Sequence, residues 1–163
     1  MTATAQLHIA MGLVALALGT IIVFGRKGTK RHVLIGRGFA LAMLALNLSA
    51  FGIHRLYAFG PFHVAAVFSL GTLVAGYWPS WRRHEGWRDD HAYYMSWCYV
   101  GLLTGTAGEI FSRVPEWDFA TSVTISCSRT VLAGAAVIHK RVPSRWGGFA
   151  RPSRPSAEAG SAA

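Results

Sequence analysis

Long runs of apolar residues, separated by short polar stretches, dominate the chain. Four runs stand out, at residues 5–25, 33–53, 62–80 and 91–112. Each is close to the roughly 20 residues that an α-helix needs to cross a hydrocarbon layer of about 30 Å. A fifth run, 118–139, is interrupted by more Ser and Thr. The pattern predicts an all-α integral membrane protein with four core transmembrane helices and a weaker fifth.

The polar connections between these runs are short. The stretches "RKGTKR", "HRLYAFGP" and "SRVPEW" join neighbouring runs, and "SWRRHEGWRDD" is the longest link. Short links place consecutive helices side by side and antiparallel. We therefore expect residues 1–142 to form an up-down helical bundle in which helices one and three, and helices two and four, are diagonal partners. Residues 143–163 are rich in Pro, Ser, Gly and Ala, which predicts a disordered cytoplasmic tail.

Composition supports a membrane protein and explains its basic charge. Of the 163 residues, 52% are hydrophobic and 14% are charged, with a net charge of +9. Threading the helices alternately through a bilayer places 13 of the 16 Lys and Arg residues on one side, leaving Arg55 and Arg113 opposite and Arg129 within the membrane. This asymmetry predicts a multi-pass protein of the cell (inner) membrane with its N-terminus outside and its C-terminus in the cytoplasm. The charge thus favours contact with membrane lipid, and not with nucleic acid.

Other residue patterns limit which cofactors and reactions the chain could support. Cys98 and Cys127 both lie in predicted spans, so we expect packing residues and no disulfide framework. The sequence has no Cys-x-x-Cys-His motif, which excludes covalently attached c-type haem. It also has no nucleophile-base-acid set and no Gly-rich phosphate loop, which disfavours a hydrolytic enzyme.

Four of the seven histidines lie at matching depths on alternate helices. His8 and His63 are near the predicted outer ends of the first and third helices, whereas His32 and His91 begin the second and fourth helices at the inner side. A flat macrocycle fits between diagonal helices when each contributes an axial imidazole. The pattern predicts two b-type haems, one held by His8 with His63 and the other by His32 with His91.

Small and basic residues near these histidines fit the same prediction. Gly12 follows His8 by one helical turn, and Gly36 follows His32 by one turn, which would leave room for a porphyrin. Glycines in membrane helices also serve helix-helix contact without any ligand, and that alternative stays open. Arg37, about one and a half turns beyond His32, is the best candidate partner for a haem propionate.

Two ionisable residues fall inside predicted spans. Glu109 and Arg129 are costly in lipid, which indicates a functional or structural pairing within the bundle. Their predicted depths differ by about 10 Å, so a direct salt bridge between them is left open.

The segments "GTKRHVLIGRGFALAML", "FGPFHVAAVFSLGTLVAG" and "RDDHAYYMSWCYVGLL" resemble an uncharacterised family of predicted bacterial membrane proteins, the domain-of-unknown-function family twenty-three-oh-six. The resemblance covers residues 5–115, and its features match His8, His32, Gly36, His63 and His91. It implies a membrane protein and no particular activity. The arrangement of histidines is also similar to that of the ascorbate-reducible di-haem b-type cytochromes, which implies electron transfer from a cytoplasmic donor to an outer acceptor.

Three functions follow as hypotheses. The first is a b-type cytochrome-like electron-transfer protein, acting with a redox partner or as a subunit of an oxidoreductase. The second is a cofactor-free scaffold or accessory subunit of a larger membrane complex. The third, divalent metal binding or transport, is ranked last because few carboxylates or thiols are near enough to complete a site.

Overall fold

The computed structural model describes residues 2–53, 60–113 and 118–142, and the regular structure in these ranges is entirely α-helical. Its five helices are α1 (Ala3–Phe24), α2 (Lys30–Ala50), α3 (Pro61–Arg82), α4 (Trp87–Phe111) and α5 (Phe119–Arg141). Each helix contains one predicted apolar run, with ends shifted by a few residues. The predicted all-α class is confirmed, whereas the predicted tail, 143–163, lies outside the described residues.

Helices α1 to α4 form a four-helix core, and α5 lies against it. α1 and α3 each pack against α2 and α4. In the described part of the chain α5 packs mainly against α4, and it touches α3 where the Phe119 ring lies 6.2 Å from the Phe62 ring. Helices α1 and α2 are antiparallel, since Leu46 lies beside Gly12 and Leu18 beside Gly38, and α3 and α4 are likewise, since Phe62 lies beside Gly108 and Met95 beside Gly76. The ring of Phe51, just after α2, lies 5.9 Å from that of His63 at the start of α3, and Phe119 at the start of α5 lies 6.2 Å from Phe62, so α3 and α5 begin at the end where α2 finishes. The diagonal partners are therefore α1 with α3 and α2 with α4, as the up-down prediction requires. We call the end at which α1, α3 and α5 begin the His8 end, and the opposite end the His32 end.

Side-chain caps fix where several helices begin. The Thr29 hydroxyl accepts a hydrogen bond from the His32 backbone N–H at 3.1 Å, and the Asp118 carboxylate accepts one from the Thr121 N–H at 3.0 Å. Hydrogen bonds from the Thr121 side chain and backbone lower the pKa of Asp118 from its usual value. Because the folded-state pKa is the lower one, this cap stabilises α5 at neutral pH and loses its effect as the pH falls through that pKa.

Buried apolar side chains fill the middle of the bundle. Gly19 lets two rings approach α1 closely, because a Cβ there would lie 2.6 Å from the Tyr99 ring and 3.0 Å from the Phe39 ring. Cys98 is fully buried and both cysteines are free thiols, which agrees with the packing role expected for them. The buried cluster consists of Ala15, Phe39, Ala42, Met43, Leu73, Cys98 and Leu102.

One helix of the predicted four-helix core differs from expectation. By length and composition, four helices are apolar enough to span a membrane, namely α1, α2, α3 and α5. The fifth run, expected to be the weaker one, is therefore among them, whereas α4 is not. α4 has three helix neighbours, α1, α3 and α5, so it exposes less surface to lipid. The hydroxyls of Ser96, Thr104 and Thr106 donate to carbonyls one turn earlier in α4 itself.

A pair of hydroxyl groups joins α1 to α4 inside the bundle. The Thr20 hydroxyl donates to the Leu16 carbonyl at 2.7 Å, and its oxygen lies 2.7 Å from the Tyr99 hydroxyl. Because Thr20 has one hydroxyl hydrogen, Tyr99 is the donor in the second bond. This hydrogen bond connects the α1–α2 hairpin to α4 across the core.

We expect Tyr99→Phe to destabilise the protein modestly, by about 0.5–1.5 kcal/mol, because it removes one interhelical hydrogen bond and leaves Thr20 bonded to Leu16. Thermal unfolding in detergent measures the change. Tyr93→Phe is the matched control, since its ring packs near Trp97 and its hydroxyl makes no hydrogen bond within the described ranges. An equal loss of stability in both variants would contradict the role given to the Tyr99 hydroxyl.

Candidate functional site

Two of the four predicted ligands approach each other. His32 lies in the first turn of α2 and His91 in the second turn of α4, so they come from diagonal helices at the His32 end. Their ring centroids are 6.4 Å apart and the ring planes are nearly perpendicular, at 84°. Both side chains are half-buried. Helix packing thus brings together the pair that depth matching along the sequence predicts.

The orientation of His91 is fixed by a backbone carbonyl. His91 Nδ1 lies 2.7 Å from the carbonyl oxygen of Gly76 in α3. A carbonyl can only accept, so Nδ1 carries the proton and the neutral ring keeps its lone pair on Nε2. Gly76 is required at this point, because a Cβ there would lie 2.7 Å from Met95 Sδ and 3.0 Å from Met95 N. This backbone contact therefore sets the tautomer of a candidate ligand.

His32 has a different environment from His91. No hydrogen bond to the His32 ring occurs within the described ranges, and its backbone N–H is bonded to the Thr29 cap. Either ring nitrogen is therefore available to a ligand. Trp87, at the start of α4, lies beside His91, with ring centroids 6.4 Å apart.

His8 of α1 and His63 of α3 both lie beside the C-terminal end of α2, at the His8 end of the bundle. His8 Nδ1 lies 3.1 Å from both the Leu46 carbonyl and the Ser49 hydroxyl oxygen. Ser49 itself donates to Leu46, so both oxygens accept from His8 Nδ1–H. His8 thus has the same tautomer as His91, with its Nε2 lone pair available.

His63 has the opposite hydrogen-bonding pattern. It is buried, its ring lies 5.9 Å from that of Phe51, and its Nδ1 accepts a hydrogen bond from the Gly60 backbone N–H at 3.1 Å. The proton of the neutral ring is therefore on Nε2, and metal binding through Nε2 would compete with this cap of α3. Ligation by His8 with His63 stays a prediction.

The small and basic residues named beside the histidines differ in their surroundings. Gly12 lies in the contact between α1 and α2, because a Cβ there would be 3.5 Å from Leu46. A Cβ at Gly36 would meet no atom within 4 Å, so space is open one turn beyond His32. Arg37 is exposed on α2. Arg55, which the sequence places on the same side of the membrane as His8 and His63, lies outside the described residues.

Several residues that shape the histidine environments were not anticipated from the sequence. Gly76 and Leu46 act through backbone carbonyls, which carry no side-chain signature. The capping role of His63 has a sequence signal, since Pro61 at the first helical position places His63 at the third, where a side chain can reach back to the cap residue. Within the described residues, no group of three or more His, Cys, Asp or Glu side chains is arranged to hold a metal ion.

The apolar helices and the arrangement of the bundle define the class, a helical membrane protein. The chain matches a family model described as "Predicted membrane protein (DUF2306)" over residues 5–144 and belongs to that family. This confirms the family resemblance noted in the sequence, and the match extends beyond residue 115 to include α5. No curated protein and no solved structure shows significant similarity to the chain.

Proposed function

We propose that the protein is a small b-type cytochrome-like membrane protein that carries electrons through haem held by His32 and His91. The approach of these two imidazoles from diagonal helices is the observation that carries the proposal. A nitrogen ligand lies about 2.0–2.1 Å from a first-row metal such as zinc, so two imidazoles on opposite sides of one metal would have centroids about 6 Å apart. The separation of 6.4 Å is compatible with this arrangement.

The hydrogen bond from His91 to Gly76 adds independent support. Metal-bound histidines almost always donate their other ring N–H to a carbonyl, carboxylate or water, which fixes the ring and raises its basicity. His91 already makes such a bond. A haem requires only an axial pair from the protein, because the porphyrin supplies the remaining ligands. His32 and His91 are therefore sufficient as a ligand set.

Space and charge around the pair fit the same ligand. The open space beside Gly36 would accept part of a porphyrin edge, while Lys30, Arg31 and Arg37 provide positive charge on α2 for the propionates. When bound, haem supplies reversible one-electron transfer at iron. His32 and His91 would be the residues that hold the haem, with their rings kept at a fixed separation by α2 and α4 and each half-buried at the His32 end.

The absorption spectrum of the purified full chain, prepared from haem-replete cells, tests this proposal. We expect red protein with a Soret band that shifts on reduction with dithionite. A pyridine haemochrome assay should give one haem per chain if His32 and His91 alone bind it, and two if His8 and His63 also do. Protein that is colourless and takes up no added haemin would overturn the proposal and favour a cofactor-free accessory subunit.

A further inference from the structure

Arg129 lies on the outside of the bundle at the middle of α5. It is 10 residues from Phe119 and 12 from Arg141, or about 15 Å and 18 Å from the two helix ends. These distances exceed the length of an arginine side chain. Arg129 is also exposed, and the helix that carries it is apolar enough to cross a membrane. A guanidinium is thus placed at mid-depth on a lipid-facing surface, which is unfavourable without a partner.

The described part of this chain offers Arg129 neither an ion pair nor a hydrogen bond. Glu109, the acidic residue that the sequence suggested as a partner, instead binds Arg113, with Arg113 Nη2 2.8 Å from Glu109 Oε2. Glu109 lies two residues from the end of α4, whereas Arg129 lies near the centre of α5. The salt bridge between Glu109 and Arg129 that the sequence left open is therefore not made in this structure.

Polar residues continue the exposed face of α5 beside Arg129. Thr121, Thr124 and Ser128 are all exposed and follow at intervals of three and four, so they form a stripe along the helix. The opposite side of α5 contains the buried Ser122 and Ser126 and faces α4. Arg129 lies about 100° around the helix axis from Ser128, with the exposed Ile125 and Leu132 between them. We call Thr121, Thr124, Ser128 and Arg129, which flank this exposed face, the α5 stripe. Small hydroxyl residues at such a surface allow close helix packing and interhelical hydrogen bonds.

The described acidic residues of a second copy do not match the depth of Arg129. Five of the seven acidic residues of the sequence fall within the described ranges: Glu85, Asp89, Asp90, Glu109 and Asp118. Each of these lies in a connection or near a helix end, whereas Arg129 lies near the centre of α5. The complementary charge is therefore better sought on a different molecule.

We infer that the α5 stripe binds a transmembrane helix of another protein, one that carries an Asp or Glu near the middle of its span. An intramembrane carboxylate would form an ion pair with Arg129, while Ile125, Leu132 and Ser128 would line the helix contact. Charge complementarity at matching depth selects the partner. This interface does not depend on haem binding, since the stripe is on α5 and the histidine pairs are on α1 to α4.

Photo-crosslinking in the native cells tests this interface. The full chain would carry p-benzoylphenylalanine in place of Ser128, with the same residue in place of the exposed Leu13 on α1 as the control position. We expect a protein adduct from position 128 only. Its yield should fall about tenfold with Arg129→Gln and be largely retained with Arg129→Lys, because truncating one member of a buried charge pair leaves the other unpaired.

The identity of the adduct decides the outcome. Mass spectrometry of the crosslinked peptide should show a carboxylate near the centre of an apolar segment of about 20 residues. Exchanging the charges, with Arg129→Asp and that carboxylate replaced by Arg, should restore the yield. An adduct with lipid alone, with a second copy of this chain, or with a helix lacking a central carboxylate would overturn the inference. An unchanged unfolding temperature for Arg129→Gln shows that lost crosslinking is not lost folding.

Discussion

Replacing His91 by Ala should reduce the haem content of the purified protein at least about tenfold, and His32→Ala should do the same, because each variant removes one of the two proposed haem ligands. The pyridine haemochrome assay and the Soret absorbance measure the loss. Addition of imidazole to His91→Ala should restore part of the Soret band, since the space left by the ring can accept the free base. Such rescue separates loss of a ligand from loss of folding.

His84→Ala is the matched control for these two variants. His84 lies at the same end of the bundle, but it is exposed and its Nε2 is 3.6 Å from the Asp90 carboxylate. We expect its haem content and spectrum to equal those of the parent protein. Full retention of haem in His91→Ala, or equal loss in all three variants, would show that the His32–His91 pair is not the haem site.

Gly76→Leu should lower both thermal stability and haem content. Any side chain at this position meets the Met95 backbone nitrogen, which cannot move without displacing α4 from α3. Overpacking of this kind costs typically about 1–3 kcal/mol, and here it would also shift the Gly76 carbonyl that holds His91. The unfolding temperature in detergent and the haem-to-protein ratio should therefore fall together.

Gly71→Leu provides the comparison within the same helix. A Cβ at Gly71 would meet no atom within 4 Å, and the residue is exposed. Its stability and haem content should stay close to those of the parent protein. If Gly71→Leu were as damaging as Gly76→Leu, the loss would reflect a general intolerance of α3 to bulk and not the contact with Met95 and His91.

The fold could be predicted because the physical signals are strong and local. Apolar runs of membrane-spanning length predict the five helices, and short links predict their antiparallel order. The apolar requirement for a span was the weak point, since α5 meets it and α4 does not. How many neighbours cover each helix is set by tertiary packing: α4 contacts α1, α3 and α5, whereas α5 lies mainly against α4 and touches α3 at one ring pair among the described residues.

The histidine environments could be predicted only in part. The approach of His32 and His91 follows from equal depth on diagonal helices, which residue numbers and helix length define. The tautomers do not follow from such counting, since they depend on single hydrogen bonds to Gly76 and Gly60. The sequence also could not predict that Tyr99 fills the space beside Gly19, because this contact depends on the rotation of α1 and α4 about their own axes.

The central position of α4 has a consequence for how the chain enters the membrane. This helix is not among those apolar enough by length and composition to cross a membrane, and it packs against α1, α3 and α5. On leaving the ribosome it would gain less from contact with acyl chains alone than from packing against these helices. Its integration is favoured once α3 is beside it and completed when α5 emerges, so α3 to α5 would insert as a cooperative unit after the α1–α2 hairpin.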